Sequence, residues 1–385
     1  MTGRADALAR AYAPARRWLV EDALPLWAER GVDRALGGFF EAIGQDGVAV
    51  AAPRRARVVA RQTYVFEVAR RMGWIEDAAV LVRHGLDALV GRCIRAAGLT
   101  LSRYDAGGGV VAEGFDLYDH AFVLLALATV AQDPALADEA QARAGRMLSA
   151  MEAFRHPLGG WRNATWPAEG LRADPHMHML ETALAFDALP DRDPRWREVA
   201  DDLVALALDR LVDPDSGALL EYFGADWDTP RDRALRVIEP GHQFEWAWLL
   251  RGWNSRVGDA RVEAAAARLH EIGEGRGVNA GGIVVDSLWD DLSVCRPALR
   301  LWAQTERIKI SVQAPDRSGE TAAIEALGAM QAFFDTPVAG LWNDRLEADG
   351  SPVIAPAPAS SLYHIVAAME ACERAIAAQG LLQEG

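Results

Sequence analysis

Two histidines lie close to the start of apolar, helix-patterned segments, a position from which a side chain can reach a cavity at the helix end. His242 follows Pro240 and Gly241 in EPGHQFEWAW, and His364 follows prolines and a serine pair in PAPASSLYHI. Proline is tolerated in the first turn of a helix and serine is a preferred N-cap, so both histidines are predicted about one turn into their helices. Because imidazole exchanges protons near neutral pH, the two could flank a small ligand as acid and base. The alternative for His364 is a core histidine bonded to a carbonyl group.

Two of the histidines are followed three residues later by a glutamate. Glu245 follows His242 in this way, and Glu181 follows His178 in ADPHMHMLETAL. Residues at i and i+3 share a helix face, and a carboxylate there raises the basicity of the imidazole and determines which nitrogen is free. The alternative for the His242 pair is an ion pair that only braces two helices. His176 and His178 resemble a metal-binding pair, but on a helix they point about 200° apart, so we expect no metal at this motif.

Four further polar residues stand near the starts of other apolar segments. Arg61 lies in ARQTYVF, and Glu306 lies in QTERIK. Asp116 and Tyr118 open the segment DLYDHAFVLLALA. The planar donor fork of arginine suits a sugar hydroxyl, a carbonyl oxygen or an anionic group, although Arg61 could instead neutralise Glu306 or Asp116. Buried polar groups cost free energy unless they are paired, so this collection indicates a functional cavity, which Asp116 and Tyr118 are expected to line.

The elements that must position these residues are organised as a sixfold repeat. Six short stretches open on glycine, continue with small or apolar residues and end in a polar turn; they begin at Gly37, Gly98, Gly159, Gly217, Gly281 and Gly340. Successive starts lie 58 to 64 residues apart. Glycine and aspartate turn signals bound each stretch, so each is predicted to form a short strand or hairpin. Self-similarity at a fixed period indicates a repeat architecture.

Between the glycine stretches lie pairs of apolar-periodic segments, which are predicted helices. One set carries more charge and is predicted to be peripheral, covering approximately 6–30, 75–96, 134–153, 195–211, 258–275 and 317–335. The other set is more apolar and aromatic and is predicted to be buried, covering approximately 54–73, 115–131, 175–189, 240–254, 293–307 and 360–378. A helix that is apolar all round is buried, whereas one with a polar face is peripheral.

Twelve helices that alternate between an outer and an inner ring, with short β-hairpins at one end, describe an all-α (α/α)6 barrel of six helical hairpins. The alternative is an open helical solenoid. The closed barrel is favoured because the repeat stops at six and because the inner helices carry polar residues where a solenoid packs leucine. No linker or shift in composition interrupts the period, so residues 1–385 are predicted to form a single catalytic domain.

The composition excludes several classes of protein. The formal net charge is −15 with both signs interspersed, whereas a duplex-binding protein shows a basic face, so no nucleic-acid partner is expected. A local basic pocket for an anionic substrate remains compatible with this charge. The cysteines, Cys93, Cys295 and Cys372, lack CxxC spacing, which favours a reducing compartment and predicts neither disulfides nor a zinc site. Without a signal-peptide pattern or a membrane-length apolar run, a cytoplasmic monomer or homodimer with no membrane partner is expected.

Six motifs together resemble those of the acylglucosamine 2-epimerase superfamily, especially its mannose isomerase and mannose 2-epimerase branch: ARQTYVF, DLYDHAFVLLALA, PHMHMLETAL, EPGHQFEWAWLL, QTERIK and PAPASSLYHI. The resemblance spans nearly the full chain. It implies an (α/α)6 barrel, the fold that the repeat predicts independently. It also implies an enzyme that acts on a small-molecule sugar and needs no metal or other cofactor. Nucleotide binding is not expected, since no phosphate-cradling glycine loop is present.

The resemblance also assigns roles. By it, His242 and His364 form the acid–base pair, and Arg61 steadies a substrate oxygen. The other residues that correspond to the family's pocket are a histidine, its orienting carboxylates and one further carboxylate: His178, Glu181, Glu245 and Glu306.

The reaction implied is proton transfer at the carbon next to a sugar carbonyl, through an enediolate. Return of the proton to C1 yields a ketose, and return to the opposite face of C2 yields the epimer, so the sequence does not separate these outcomes. The PAPASSLYH segment favours a metal-independent isomerase of D-mannose and D-fructose. The alternatives are a mannose/glucose 2-epimerase, an isomerase of a 6-phospho or 6-sulfo sugar, and a glycoside hydrolase on the same barrel. A hydrolase would need two carboxylates across the pocket, such as Asp116 and Glu306.

Overall fold

The computed structural model describes residues 2–105, 107–162, 170–314 and 317–378. In chain order its α-helices are α1 (Thr2–Arg17), α2 (Leu24–Arg30), α3 (Ala56–Arg71), α4 (Ala78–Ala88), α5 (Leu117–Val130), α6 (Ala137–Met151), α7 (Asp174–Asp187), α8 (Arg195–Leu206), α9 (Pro240–Val257), α10 (Ala260–Ile272), α11 (Leu301–Gln313), α12 (Arg317–Gln331) and α13 (Ala359–Ala378). The strands are β1 (Ala42–Ile43), β2 (Arg54–Arg55), β3 (Arg103–Tyr104), β4 (Val110–Ala112), β5 (Leu171–Arg172), β6 (Tyr222–Phe223), β7 (Val237–Ile238), β8 (Val285–Trp289), β9 (Val294–Arg300), β10 (Arg345–Leu346) and β11 (Ala357–Pro358).

Six helices, α3, α5, α7, α9, α11 and α13, form a closed inner ring. Each packs against the next in this order, and α13 packs against α3. The first and last repeats also meet at the hairpin end, where β1 pairs with β11 and Ala42 lies opposite Pro358. The ends of an open solenoid do not meet, so these contacts confirm the predicted (α/α)6 barrel.

The outer helices cover this ring and bury one face only. α4, α6, α8, α10 and α12 each pack against the inner helix that precedes them in the chain, and α1 packs against α12 and α13. In α8, Trp196, Val199 and Leu203 are buried, whereas Glu198 and Asp201 face solvent. The inner helix α5 is buried along almost its whole length, as predicted for the apolar set. None of the described helices is long and apolar enough to span a lipid bilayer.

Small antiparallel sheets lie at the end of the barrel where the inner helices begin. The helices α3, α9, α11 and α13 start directly after β2, β7, β9 and β11. Five of the six glycine stretches contain strands, in agreement with the prediction. In the third stretch Trp161 forms a bridge with Arg155, and residues 163–169 lie outside the described part of the chain. The hairpins therefore surround the helix starts, where the polar residues of the sequence motifs occur.

One predicted helix, 293–307, was wrong in its position. Residues Val294–Arg300 form strand β9, which pairs with β8 in a four-stranded sheet ordered β10-β9-β8-β7, and α11 begins only at Leu301. Pro297 lies inside this strand, and the residue before a proline is driven to an extended conformation, which opposes a helix there. The other predicted helices agree with the structure to within a few residues at each end when the π-helical segments Trp18–Ala23, Leu89–Cys93, Ala207–Leu211 and Gly273–Gly277 are counted with the α-helices that they continue.

A polar side chain near the start of four inner helices bonds the backbone of a glycine stretch. His120 accepts a hydrogen bond from the backbone N–H of Thr100 at 3.1 Å, and His176 bonds the backbone of Trp161. Gln243 and Gln304 bond both backbone groups of Leu219 and Val284. Burial lowers the pKa of His120 and of His176 to about 4, so both are neutral. These four side chains supply partners for buried backbone groups, and each of them joins one glycine stretch to an inner helix.

Replacing Gln243 by leucine is expected to destabilise the protein. The side-chain oxygen and nitrogen of Gln243 each lie 2.9 Å from the backbone of Leu219, and leucine leaves both of those buried groups unpaired. Each orphaned group costs about 1–3 kcal/mol, so the free energy of unfolding should fall by roughly 2–5 kcal/mol. Denaturant unfolding measures the change, with Gln313→Leu at an exposed position of α11 as control. Equal stability of the two variants would contradict this role.

Candidate active site

The starts of three inner helices bring two histidines and a tryptophan together. His242 lies in the first turn of α9, and His364 lies in the second turn of α13. Trp302 at the start of α11 contacts both imidazoles, with ring centroids 4.8 Å and 5.8 Å away. The side chains of His242 and His364 are 13% and 8% exposed, whereas those of Glu245 and Glu306 are fully buried. The two histidines therefore lie at the more accessible end of the site, and the buried carboxylates of Glu245 and Glu306 form its floor.

His242 is surrounded by negative charge. Its Nδ1 lies 2.8 Å from Oε2 of Glu221, the residue before β6, and 3.9 Å from Oε2 of Glu239, the residue before α9. Burial alone would lower the pKa of His242, but the charges of Glu221 and Glu239 outweigh it and raise that pKa well above the ordinary histidine value. His242 is therefore protonated at neutral pH, and a protonated imidazole can act as a general acid.

The predicted partnership between His242 and Glu245 was wrong. Glu245 lies one turn deeper in α9, with its Oε1 3.7 Å from Nδ1 of His178 and 3.9 Å from Nζ of Lys309. His242 instead turns to Glu221, because the backbone N–H of Glu221 bonds the carbonyl of Val237 in β7 and so places that carboxylate beside the first turn of α9. Neither carboxylate oxygen of Glu245 has a hydrogen-bond partner among the described residues, and burial raises its pKa well above the usual range.

His364 has the opposite electrostatic surroundings. Its Nδ1 lies 2.8 Å from Oε1 of Glu306 on α11. Burial lowers the pKa of His364 below the ordinary value, the positive charges of Arg61 and Lys309 add to this, and Glu306 only partly opposes them. His364 is therefore neutral at neutral pH. Because Nδ1 donates its hydrogen to the carboxylate, Nε2 carries the free lone pair of a general base.

Arg61 of α3 is held by aromatic groups. Its Nη2 donates to the hydroxyl of Tyr118 at 2.8 Å, and its guanidinium lies 3.9 Å above the ring of Phe122. No carboxylate of the described ranges forms an ion pair with Arg61, so the alternative of a cation that neutralises Glu306 or Asp116 is not what the structure contains. Asp116 caps α5 by accepting from the backbone of Tyr118 at 2.9 Å. The free donors of Arg61 can therefore bind a ligand oxygen.

His178 and Glu181 form the pair that their spacing predicts. Nδ1 of His178 lies 3.2 Å from Oε2 of Glu181, while Oε1 of Glu181 accepts a short hydrogen bond from the hydroxyl of Tyr363. The His178 ring stands edge-on to that of Tyr118, which joins the pair to Arg61. Burial lowers the pKa of His178 to about 3, so its imidazole is neutral and available as a hydrogen-bonding group.

The floor of the site holds a buried lysine that was not predicted. Nζ of Lys309 lies 2.6 Å from Oε2 of Glu306 and 3.9 Å from Oε1 of Glu245. Burial opposes ionisation of both partners, yet the attraction between them raises the pKa of Lys309, and Lys309 with His364 holds that of Glu306 at about 2. The signal was present in QTERIK, where Glu306 and Lys309 stand at i and i+3.

Within the described part of the chain, three groups of residues have ligand atoms close enough together to hold a metal ion. The atoms in each group lie within 4.8 Å of one another; the groups are His178 with Glu181 and Glu245, Glu245 with Glu306 and His364, and Glu221 with Glu239 and His242. In the two deep groups the ammonium of Lys309 already supplies a positive charge beside Glu245 and Glu306. A metal-free site stays a prediction, for which this internal cation offers a physical reason.

The chain matches known proteins over most of its length. The model of the N-acylglucosamine 2-epimerase (GlcNAc 2-epimerase) family matches residues 38–368. The chain belongs to this family. It is 40% identical over 366 residues to a protein named mannose-6-phosphate isomerase from Rhizobium meliloti, covering 91% of this chain and 94% of that protein. It is 30% identical over 335 residues to D-mannose isomerase from Thermobifida fusca, covering 78% of each.

The fold is shared with solved structures of sugar epimerases. Cellobiose 2-epimerase from Spirochaeta thermophila superimposes with a TM-score of 0.85 at 21% identity, covering 97% of this chain and 98% of that one. The predicted membership of the epimerase superfamily is therefore confirmed, and the protein is a sugar isomerase or epimerase.

Several polar residues of this family member's site were missed from the sequence. Glu221 stands in the glycine stretch GALLEYFGADW, whose residues were assigned only to a hairpin. Tyr363 and Trp302 were not distinguished from core aromatic residues. Their contacts join α13 to α7 and to α11, so only the ring of helices reveals them.

Replacing Glu221 by glutamine is expected to lower the pKa of His242, because the amide keeps the shape of the side chain but removes its negative charge. NMR titration of ¹⁵N-labelled histidines measures this shift. In the native protein His242 should carry protons on both nitrogens at pH 6.5, while His364 should be neutral there. Glu263→Gln on α10, half exposed, is the control. A neutral His242 at pH 6.5 in the native protein would contradict the electrostatic description.

Proposed function

We propose that this protein interconverts D-mannose and D-fructose by histidine-mediated proton transfer through an enediolate, without a metal. The observation that carries the proposal is the contrast in charge around two histidines that both contact Trp302: two glutamates flank His242, whereas Lys309 offsets the glutamate beside His364. Two titratable groups with pKa values driven apart by their surroundings are what paired acid and base catalysis requires. The names of the two relatives, mannose-6-phosphate isomerase and D-mannose isomerase, agree with this substrate class.

The first step is opening of the sugar ring. The protonated His242 donates its Nε2 proton to the ring oxygen, because Nδ1 is engaged by Glu221. The anomeric hydroxyl gives its proton to solvent water as the C1 aldehyde forms, and solvent returns a proton to Nε2 of His242, so the sugar leaves this step as the open-chain aldose. Glu221 stabilises the charged form of His242 before the transfer and orients the ring.

The second step moves a proton between carbons. Nε2 of His364 removes the proton from C2, and the electrons of that C–H bond form the enediolate with negative charge on O1. The donors of Arg61 stabilise this charge. The proton on O2 then moves to O1, which shifts the negative charge to O2, and His364 returns its proton to C1 as C2 becomes the ketone carbonyl. Delivery of a proton to the opposite face of C2 would instead give the 2-epimer, which remains the alternative outcome.

A neutral sugar fits the mouth of the site better than a phosphorylated one. Arg57 lies 3.3 Å from Asp119, and Arg172 lies 2.8 Å from Asp174, so each positive charge has its own carboxylate. His242 adds one positive charge to two glutamates. Arg61, which has no carboxylate partner in the described part of the chain, is engaged by the reacting oxygen in this mechanism, so a phosphate dianion would meet these carboxylates without a further surplus of cations among the residues named. Mannose 6-phosphate stays the second candidate because of the name of the 40% identical relative.

The hydrolase alternative has less support. A glycoside hydrolase needs one carboxylic acid that is protonated at the working pH. Glu306 has its pKa held at about 2 by Lys309 and His364 against the effect of burial, and Asp116 accepts backbone hydrogen bonds as a helix cap. The solved mannanase structures on the same type of barrel are 13–14% identical to this chain and show the fold alone.

We also propose that residues 1–385 act as one catalytic domain.

Incubation with mannose in D₂O tests the proposed reaction. Fructose labelled at C1, and mannose labelled at C2 on reversal, are expected, because His364 exchanges its proton with solvent during turnover. Mannose should be used with kcat/KM at least about tenfold above mannose 6-phosphate, for the electrostatic reason given above. A preference for the phosphate would establish the second candidate. Labelled glucose as main product would establish a 2-epimerase, and a cleaved disaccharide without label would contradict both.

Replacing either histidine tests the division of labour. His364→Asn should reduce kcat for mannose by about 100-fold or more and abolish deuterium uptake, because asparagine cannot accept the C2 proton. His242→Asn should slow turnover of the closed-ring sugar by a similar factor. His156→Asn, an exposed histidine on the third hairpin, is the control and should leave kcat unchanged. Near-native activity of either active-site variant would refute the two-histidine mechanism.

A further inference from the structure

We infer that Lys309 is a positioning residue for the base His364, acting through Glu306 from the side of the site that faces away from the sugar. The inference rests on the proposed function, in which His364 is the base. The two carboxylate oxygens of Glu306 contact different residues. Oε1 lies 2.8 Å from Nδ1 of His364, and Oε2 lies 2.6 Å from Nζ of Lys309. All of the contact is between buried groups, with the Lys309 side chain 1% exposed.

A buried lysine in this position calls for an explanation. Lysine is almost never fully buried unless it is paired, and replacing a buried ion pair by apolar groups is often neutral or stabilising. The ammonium lies 4.1 Å from the centroid of the Trp248 ring, which an apolar side chain would also pack against. Stability of the fold therefore does not explain a charged residue at this position. The effect of the Lys309 ammonium on Glu306 does explain it.

The ammonium determines the tautomer of His364. Glu306 lies among other buried carboxylates, and without a cation it would take up a proton to avoid an isolated buried charge. A protonated carboxyl can donate a hydrogen bond to Nδ1, which moves the imidazole hydrogen to Nε2. His364 could not then accept a proton from C2. The ionised Glu306 only accepts hydrogen bonds, so it keeps the hydrogen on Nδ1 and the lone pair on Nε2.

Charged or titratable groups from five inner helices lie around His364, and Glu306, Arg61 and Lys309 act on its pKa most strongly. They are Arg61 from α3, His178 and Glu181 from α7, His242 and Glu245 from α9, Glu306 and Lys309 from α11, and the adjacent Tyr363 on α13. Of these, Lys309 combines a direct ion pair to Glu306 with no contact to the mouth of the site. Its removal therefore acts on the base directly through Glu306, and on Glu181 and Glu245 only through the loss of its charge.

A cavity reaches Lys309 from the far end of the barrel. It measures about 940 Å³ and is lined by the last turns of the inner helices, including Thr129, Arg256, Val312 and Arg374. Its inner end reaches Lys309 and Glu181. The catalytic histidines lie at the opposite ends of the same helices, near their starts. Small molecules can therefore approach the position of the ammonium without passing the sugar.

Replacing Lys309 by methionine is the first test. We expect kcat for mannose to fall by about 100-fold with KM within about threefold of the native value, because the base is lost and sugar contacts are kept. The acidic limb of kcat/KM should move to lower pH, because a protonated Glu306 no longer raises the pKa of His364, and this loss outweighs the loss of the Lys309 charge. Lys309→Arg should recover part of kcat. Val312→Ala, which lines the same cavity, is the control and should behave as native.

Chemical rescue is the second test and distinguishes positioning from a general loss of structure. Lys309→Ala leaves a space beside Glu306 that opens to the far cavity, and added methylammonium should restore kcat with saturation. Mannose should not compete with the amine, because the two enter from opposite ends. Tetramethylammonium, which has no N–H donor, should not rescue. A Lys309→Met variant with native kcat and pH profile, or amine rescue that mannose abolishes, would overturn the inference.

Failure of the proposed function would give a different result. In that case the native protein itself would neither convert mannose nor introduce deuterium. The positioning role would then be judged by ¹⁵N NMR of His364, whose two nitrogens report the tautomer without turnover. The hydrogen should lie on Nδ1 in the native protein and move to Nε2 in Lys309→Met. An unchanged tautomer in a folded variant would refute the role of Lys309.

Discussion

Closure of the inner ring brings the first and last repeats into contact, with α13 packed on α3 and β1 paired with β11. Because every inner helix then has an inner neighbour on both sides, a side chain that points inward meets residues from other repeats instead of solvent. Tyr363 reaches Glu181 from 182 positions away in the chain, and His364 reaches Glu306 from 58 positions away. The chemistry of the site is a consequence of this closure.

Inside the closed lumen every unpaired charge is buried and raises the free energy of the folded protein. This cost determines how the ionisable groups of the site are paired. A buried carboxylate is stable only with a cation or with a proton, and both solutions occur side by side. Glu306 is ionised beside Lys309, whereas burial and the neighbouring carboxylate raise the pKa of Glu245. Near the mouth, the same rule acts in the opposite direction on the histidines. The charges of two glutamates raise the pKa of His242, which is therefore protonated. Burial and two cations lower the pKa of His364, which is therefore neutral.

Much of the fold and part of the site were predictable from the sequence. The period of the glycine stretches predicted six hairpins, and the contrast between charged and apolar helices predicted their two rings, because both are local patterns. The pair of His178 and Glu181 was predictable since both lie on one helix face. The partner of His242 was not, because Glu221 lies in the hairpin 21 positions earlier, and only the packing of that hairpin against α9 shows that it, and not the local Glu245, meets the imidazole. Residues 293–300 were misassigned because strand pairing there outweighs apolar periodicity.

The sequence by itself determined the barrel class, the family resemblance and the position of His242 and His364 near the starts of their helices. All three depend on periodicity and short motifs that the chain carries locally. Only the tertiary structure decided which carboxylate each histidine meets, and hence which of them holds a proton. The physical reason is that a pKa depends on the charges within a few ångströms and on burial, and both are set by helices distant in sequence. The ammonium of Lys309 beneath Glu306 belongs to this second kind of information, because its meaning depends on His364 from the last helix of the ring.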